Sequence, residues 1–164
     1  MCKLLEPKMM IDHYSDFDGE RFIKEGYDTI FIDLDNTLAP YYEKRIDEAV
    51  YKFLDSLRKI GFKVFVISNN SEERVGNYFK DTDINYLFYA LKPFKKGYKK
   101  AINDFNLNPK KIVAMGDQML TDVIGANRMG FYSIYVKPII DKDSITTKLN
   151  RKIEKFLFKY VVKK

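Results

Sequence analysis

Thr29-Ile30-Phe31-Ile32-Asp33-Leu34-Asp35-Asn36-Thr37-Leu38 is the stretch on which the reading of this chain turns. Its first four residues are β-branched or aromatic, the composition of a buried strand, and the spacing predicts a strand over 29–34. Asp33 and Asp35 stand two apart, which on a strand places both carboxylates on one face. Crowded like charges need a cation, a shared proton or an electrophilic partner. The carboxyl end of a parallel strand is also where open α/β sheets place their ligands. Asp-x-Asp spacing alone says little, because Asp16/Asp18, Asp81/Asp83 and Asp141/Asp143 share it. Only Asp33/Asp35 follows an apolar strand.

Outward from that stretch, strands and helices alternate. Ile46, Val50, Phe53, Leu57 and Ile60 recur at steps of four and three, the face of an amphipathic helix, and Gly61 is its stop. Lys63–Ile67 reads as a second strand. Ser71 is placed to cap a helix reaching about Phe79, with Glu72 and Glu73 in its first turn. Tyr86–Ala90 reads as a third strand, Lys95–Phe105 as a helix, Ile112–Met115 as a fourth strand, Thr121–Met129 as a helix stopped by Gly130, and Tyr132–Val136 as a fifth strand. Residues 1–28 show no clear pattern. Alternation of this kind predicts an α/β layer fold with a mainly parallel sheet, whose right-handed crossovers bring the strand ends to one edge.

The 164 residues suit one domain, read here as 1–164 with its core at about 29–136. A composition 46% hydrophobic and 32% charged fits a soluble globular protein. No apolar run approaches the ~20 residues of a membrane span, and the N-terminus lacks the pattern of a secretory signal. Cys2 and His13 are the only residues of their types, which excludes an intrachain disulfide and cysteine- or histidine-rich metal sites. A reducing cytoplasm is the expected compartment. The net charge of +6 resides in residues 137–164, where nine Lys/Arg stand against three Asp/Glu.

Four polar clusters follow four of the strands: Asp33, Asp35 and Thr37; Ser68, Asn69 and Asn70; Lys92 and Pro93; and Gly116-Asp117-Gln118-Met119-Leu120-Thr121-Asp122. In a parallel sheet they share one rim. Several acids, a hydroxyl and a lysine together suit metal-assisted phosphoryl chemistry: the acids hold a hard cation such as Mg2+, and the lysine and hydroxyl neutralise phosphate oxygens.

This ordered set resembles the four motifs of the haloacid dehalogenase (HAD) superfamily of aspartate-nucleophile phosphatases. The phrases Asp33–Leu38, Ser68-Asn69-Asn70 with Arg74-Val75, Lys92-Pro93 and Gly116-Asp117-Gln118 with Thr121-Asp122-Val123 are similar to the YqeG-type branch, related to phosphatidylglycerophosphate phosphatases. The resemblance implies a three-layer Rossmann-like fold and a phosphoric monoester hydrolase that forms an aspartyl-phosphate. It implies Asp33 as nucleophile and Asp35 as general acid and base, with Thr37 orienting Asp35 or steadying the loop. Ser68 and the Asn69 backbone would bind the phosphoryl group, and Lys92 would pair with nucleophile and phosphate, aimed by Pro93. Asp117 would hold Mg2+ with the Asp33 carboxylate and the Asp35 carbonyl, and Asp122 would support Asp117 or a metal-bound water.

The intervals from Asp33 to Ser68 and from Ser68 to Lys92 leave no room for an inserted cap domain. An open site suits a phosphate on something large or anchored. The tail also bears on substrate. Ile145, Leu149, Ile153, Phe156, Leu157, Tyr160 and Val161 fall on one face of a helix expected over about 145–162, with Lys and Arg around much of the rest. Such a helix either packs its apolar face on the domain or lies peripherally on an anionic membrane. The substrate reading is therefore an anionic lipid phosphate such as phosphatidylglycerophosphate. The alternatives are a nucleotide, sugar or nucleic-acid end phosphate, or a non-enzymatic phospho-acceptor module; nucleic acid is not favoured as a partner.

Overall fold

Strand pairing organises the protein around the opening stretch. In the computed structural model, which describes residues 3–140, six strands form one all-parallel sheet: β1 (Met9–Ile11), β2 (Thr29–Ile32), β3 (Lys63–Ile67), β4 (Asn85–Leu87), β5 (Ile112–Gly116) and β6 (Tyr132–Val136). Their order is β1-β6-β5-β2-β3-β4. β2 lies at the centre, with Ile32 beside Val66 of β3 and Met115 of β5, and all four of its residues are buried.

Side chains alternate between two cores, as the period of a strand requires. Ile30, Ile32, Val64, Val66, Val113 and Met115 face one, where they meet Phe22, Val50, Leu54, Leu57 and Val75. These belong to the helices α1 (Gly19–Lys24), α2 (Glu48–Lys59) and α3 (Glu72–Tyr78). Phe31, Phe65, Ile67, Ile112 and Ala114 face the other core, with Tyr98, Ala101 and Ala126. These last come from α4 (Lys95–Asp104) and α5 (Ile124–Met129). The three-layer α/β expectation is met.

Local signals explain most boundaries. Asp47 and Ser71 cap α2 and α3, accepting from the Val50 and Arg74 amides. Gly61 takes a φ of +109° in the turn after α2. The third expected strand is shorter than anticipated and begins earlier, at Asn85, because Tyr89 and Leu91 take positive φ and end the pleat. The helix expected from Thr121 is divided: a wide turn over Met119–Val123 precedes α5, with the Val123 amide bonding back to the Gln118 carbonyl. β1 and α1 lie in the stretch that showed no sequence pattern. β1 has three residues on a sheet edge, with Met10 exposed, too little for periodicity to register. The tail helix expected over 145–162 falls outside the described residues. Among the described residues, no helix is long and apolar enough to cross a membrane.

Candidate active site

The chain runs from β2 to β3 and β4 on one side, then crosses to β5 on the other. The crevice between the carboxyl ends of β2 and β5 is therefore the switch point at which such sheets bind ligands. Asp33 leaves β2 there, its amide bonded to the Met115 carbonyl at 2.9 Å.

The strand ends at Ile32, two residues earlier than anticipated, so Asp33 and Asp35 do not share a strand face. The chain turns at once. The Leu34 carbonyl accepts from the amides of Thr37, Leu38 and Ala39 at 3.3, 2.9 and 3.2 Å. Asn36, of a residue type that tolerates the left-handed region, takes a φ of +64°. This turn sends the two acids apart and brings Thr37 back beneath the first. The Thr37 hydroxyl lies 3.4 Å from Asp33 Oδ2 and 3.3 Å from Asp117 Oδ1, so it addresses those acids rather than Asp35.

Lys92 is buried with them. Its ammonium reaches Asp33 Oδ1 at 2.5 Å and Asp122 Oδ1 at 2.7 Å. Asn69 holds the lysine from behind: its Oδ1 accepts from the Lys92 amide at 2.7 Å and its Nδ2 donates to the Lys92 carbonyl at 2.9 Å. The Asn69 side chain is thus occupied in positioning Lys92, a role the sequence did not suggest. The Lys92–Pro93 peptide is cis. Ser68 is buried at the end of β3, and its Oγ accepts from the Asn70 amide at 3.1 Å. Asp122 is turned inward by the wide turn, with Oδ2 accepting from the Gln118 amide at 3.0 Å. Gly116 makes room for it, because a Cβ there would stand 2.3 Å from Asp122 Cγ.

Asp35 sits apart from this cluster. Its Oδ1 accepts from Arg74 Nη2 at 2.8 Å and Nε at 3.2 Å, and its Oδ2 from Asn70 Nδ2 at 3.0 Å. Arg74 was visible in the sequence only as part of a phrase. Its position three residues after the Ser71 cap, at the rim end of α3, was the available signal.

Asp33, Asp117 and Asp122 are all buried and offer oxygens within 4.8 Å of one another. The Lys92 ammonium is shared by two of these carboxylates, Asp33 and Asp122. Burial pushes the Asp33 carboxyl up to about 7 despite the pull of Lys92, with Asp122 and Asp35 adding to the rise. Burial also works against the Lys92 ammonium, but Asp122 and Asp33 outweigh it and hold the lysine above its ordinary range. An oxygen-only set of three buried carboxylates this close together fits a hard divalent cation.

Comparison with known proteins agrees with this geometry. Residues 41–130 match the family model described as haloacid dehalogenase-like hydrolase. "Probable phosphatase YqeG" of Bacillus subtilis is 30% identical over 153 residues, covering 93% of this chain and 89% of that protein. The chain belongs to the haloacid dehalogenase-like hydrolase family. It is a phosphoric monoester hydrolase of that family. The mitochondrial phosphatidylglycerophosphatase of Saccharomyces cerevisiae is 25% identical over 175 residues, covering 96% of this chain and 90% of its own. The fold is shared with the cobalt-bound deoxy-D-mannose-octulosonate 8-phosphate phosphatase of Haemophilus influenzae. That structure aligns with a TM-score of 0.54 at 11% identity, over 82% of this chain and 89% of the other.

Proposed function

We propose that this hydrolase is a magnesium-dependent phosphatase in which Asp33 attacks phosphorus. The observation that carries the reading is the buried Asp33–Lys92 pair, set with Asp117 and Asp122 at the switch crevice. Asp33 forms a bond to phosphorus as the ester bond breaks, and the departing oxygen takes a proton from Asp35. Water then attacks the aspartyl-phosphate, gives its proton to Asp35, and releases phosphate and the free Asp33 carboxylate. Asp35 must leave Arg74 to act in both steps. Lys92 offsets charge on the transferring group, and the Ser68 hydroxyl and Asn69 backbone bind its oxygens. Mg2+ would be held by the carboxylates of Asp33 and Asp117 and the Asp35 carbonyl, supported by Asp122, and would supply positive charge to the phosphoryl oxygens.

The substrate class we infer is an anionic lipid phosphate, met at a membrane surface. Three features support it: the yeast relative, the basic amphipathic tail sequence, and exposed Leu91 and Phe94 on either side of the Lys92-Pro93 pair. Neither interval between the polar clusters from β2 to Lys92 holds an inserted domain. Hydrolysis of p-nitrophenyl phosphate with Mg2+ tests the chemistry. Asp33→Asn should lower turnover on the order of 10⁴-fold or more while leaving the fold intact. A variant as active as the parent removes Asp33 as nucleophile. A panel of lipid, sugar and nucleotide monophosphates compared by kcat/KM tests the substrate, and no preference for lipid would exclude that class.

A further inference from the structure

Arg74, the partner of Asp35, also lines a groove of about 460 Å³ whose other residues the proposed chemistry does not use. Lys44, Arg45, Arg74 and Lys80 line it, and Glu73 is the only acid among its lining residues. The salt bridges of the described residues involve none of Lys44, Arg45 or Lys80. Arg74 joins the groove to the active site. Its Nε and Nη2 serve Asp35, and Nη2 also reaches the Pro40 carbonyl at 3.4 Å. Its Nη1 is buried and has no hydrogen-bond partner. A buried guanidinium nitrogen without an acceptor is costly unless something else fills that need.

We propose that this groove binds a second phosphate group carried by the leaving group of the substrate. The proposal rests on the phosphatase reading. In that reading Asp35 protonates the departing oxygen, so whatever lies beyond Asp35 touches the leaving group and not the transferred phosphoryl. A guanidinium with an unused donor, flanked by three further cations, matches the oxygens of a phosphate monoester or diester. The same second phosphate, on arrival, competes with Asp35 for Arg74 and frees the acid for proton transfer. Substrate class and release of the acid are thereby linked through one side chain. The second phosphate can come from a lipid headgroup, as a phosphodiester, or from a soluble bisphosphate.

The test uses the full chain with Mg2+ and substrate pairs that differ by one phosphate. These are glycerol 3-phosphate against glycerophosphoglycerol phosphate, the latter also diacylated in neutral micelles, and fructose 6-phosphate against fructose 1,6-bisphosphate. The parent protein should favour the second member of at least one pair by about tenfold in kcat/KM, less at high salt. The double variant Arg45→Gln/Lys80→Gln should reduce that ratio to within about twofold and leave p-nitrophenyl phosphate turnover unchanged. The pair with the larger ratio identifies the source of the phosphate. A ratio near one in the parent, a ratio that survives in the variant, or a parallel fall on p-nitrophenyl phosphate overturns the subsite while leaving the phosphatase reading intact. Absence of p-nitrophenyl phosphate turnover in the parent overturns both.

Discussion

Two ion pairs stand at the carboxyl edge of the sheet, and they differ in what they can do. Lys92 with Asp33 is sealed, the side chains 4% and 9% exposed. Arg74 with Asp35 is more open, at 15% and 21%. The first pair has little water to replace either partner, so its charges must be balanced in place by Asp122, a proton or a cation. The second can exchange partners at modest cost, which is what an acid that gives and takes protons requires. A third pair, Arg58 with Asp83, is a control: its forked contacts of 2.8 and 2.6 Å are well formed, but it lies on the surface, with side chains 36% and 64% exposed. Good geometry alone does not separate a site from a surface pair, whereas burial and an unbalanced charge do.

Breaking the sealed pair should have the largest effect on the fold. Lys92→Met leaves the buried acids Asp33 and Asp122 without their ammonium and should cost about 3–5 kcal/mol in the metal-free protein, measured by urea unfolding. Asp33→Asn removes one of the crowded acids, and the same measurement should show an increase in stability.

The next effect sharpens the charge-balance reading through pH. Burial pushes the folded Asp33 carboxyl up to about 7, above its ordinary 3.8. Between those values the folded state holds a proton that the unfolded state has lost, so Asp33 makes stability fall as pH rises. Lys92 is raised above 10.5 and adds no slope in this window. The melting temperature of the metal-free parent, relative to Asp33→Asn, should therefore drop between about pH 4 and 7, and saturating Mg2+ should flatten the difference. A parent and variant with parallel profiles would mean that Asp33 carries no excess proton.

Opening the exchangeable pair should reduce activity more than stability. Arg74→Gln should lower kcat/KM on the preferred substrate with two phosphates by about tenfold, through loss of the guanidinium that meets the second phosphate, with less than ~1 kcal/mol lost in unfolding. Smallest of all, Arg58→Ala should change stability by about 0.5 kcal/mol and leave kcat/KM as it was.

The parts of this molecule that were legible in its sequence are those whose signal is local. The apolar runs of β2, β3, β5 and β6, the Ser71 cap, and Gly61 and Gly130 each act within a few residues, and they place the four polar clusters on one rim. What escaped depends on contacts across the chain or on a turn that contradicts simple alternation. The Leu34 carbonyl gathers three amides, so Asp33 and Asp35 diverge where a longer strand would have kept them together. Arg74 shows its role only when α3 is set beside Asp35, 39 residues away. Gly116 reads only as the head of a polar cluster until Asp122 folds over it.

The Asn69 amide has a consequence for anyone who would rebuild this site. By grasping both backbone polar groups of Lys92, it acts as one rung of a ladder between two separate strand exits. The Lys92 loop moved to another scaffold without that asparagine would carry the right ammonium on a wandering stalk. The transferable unit is the pair of loops locked together, and redesign of either one must keep the other in register.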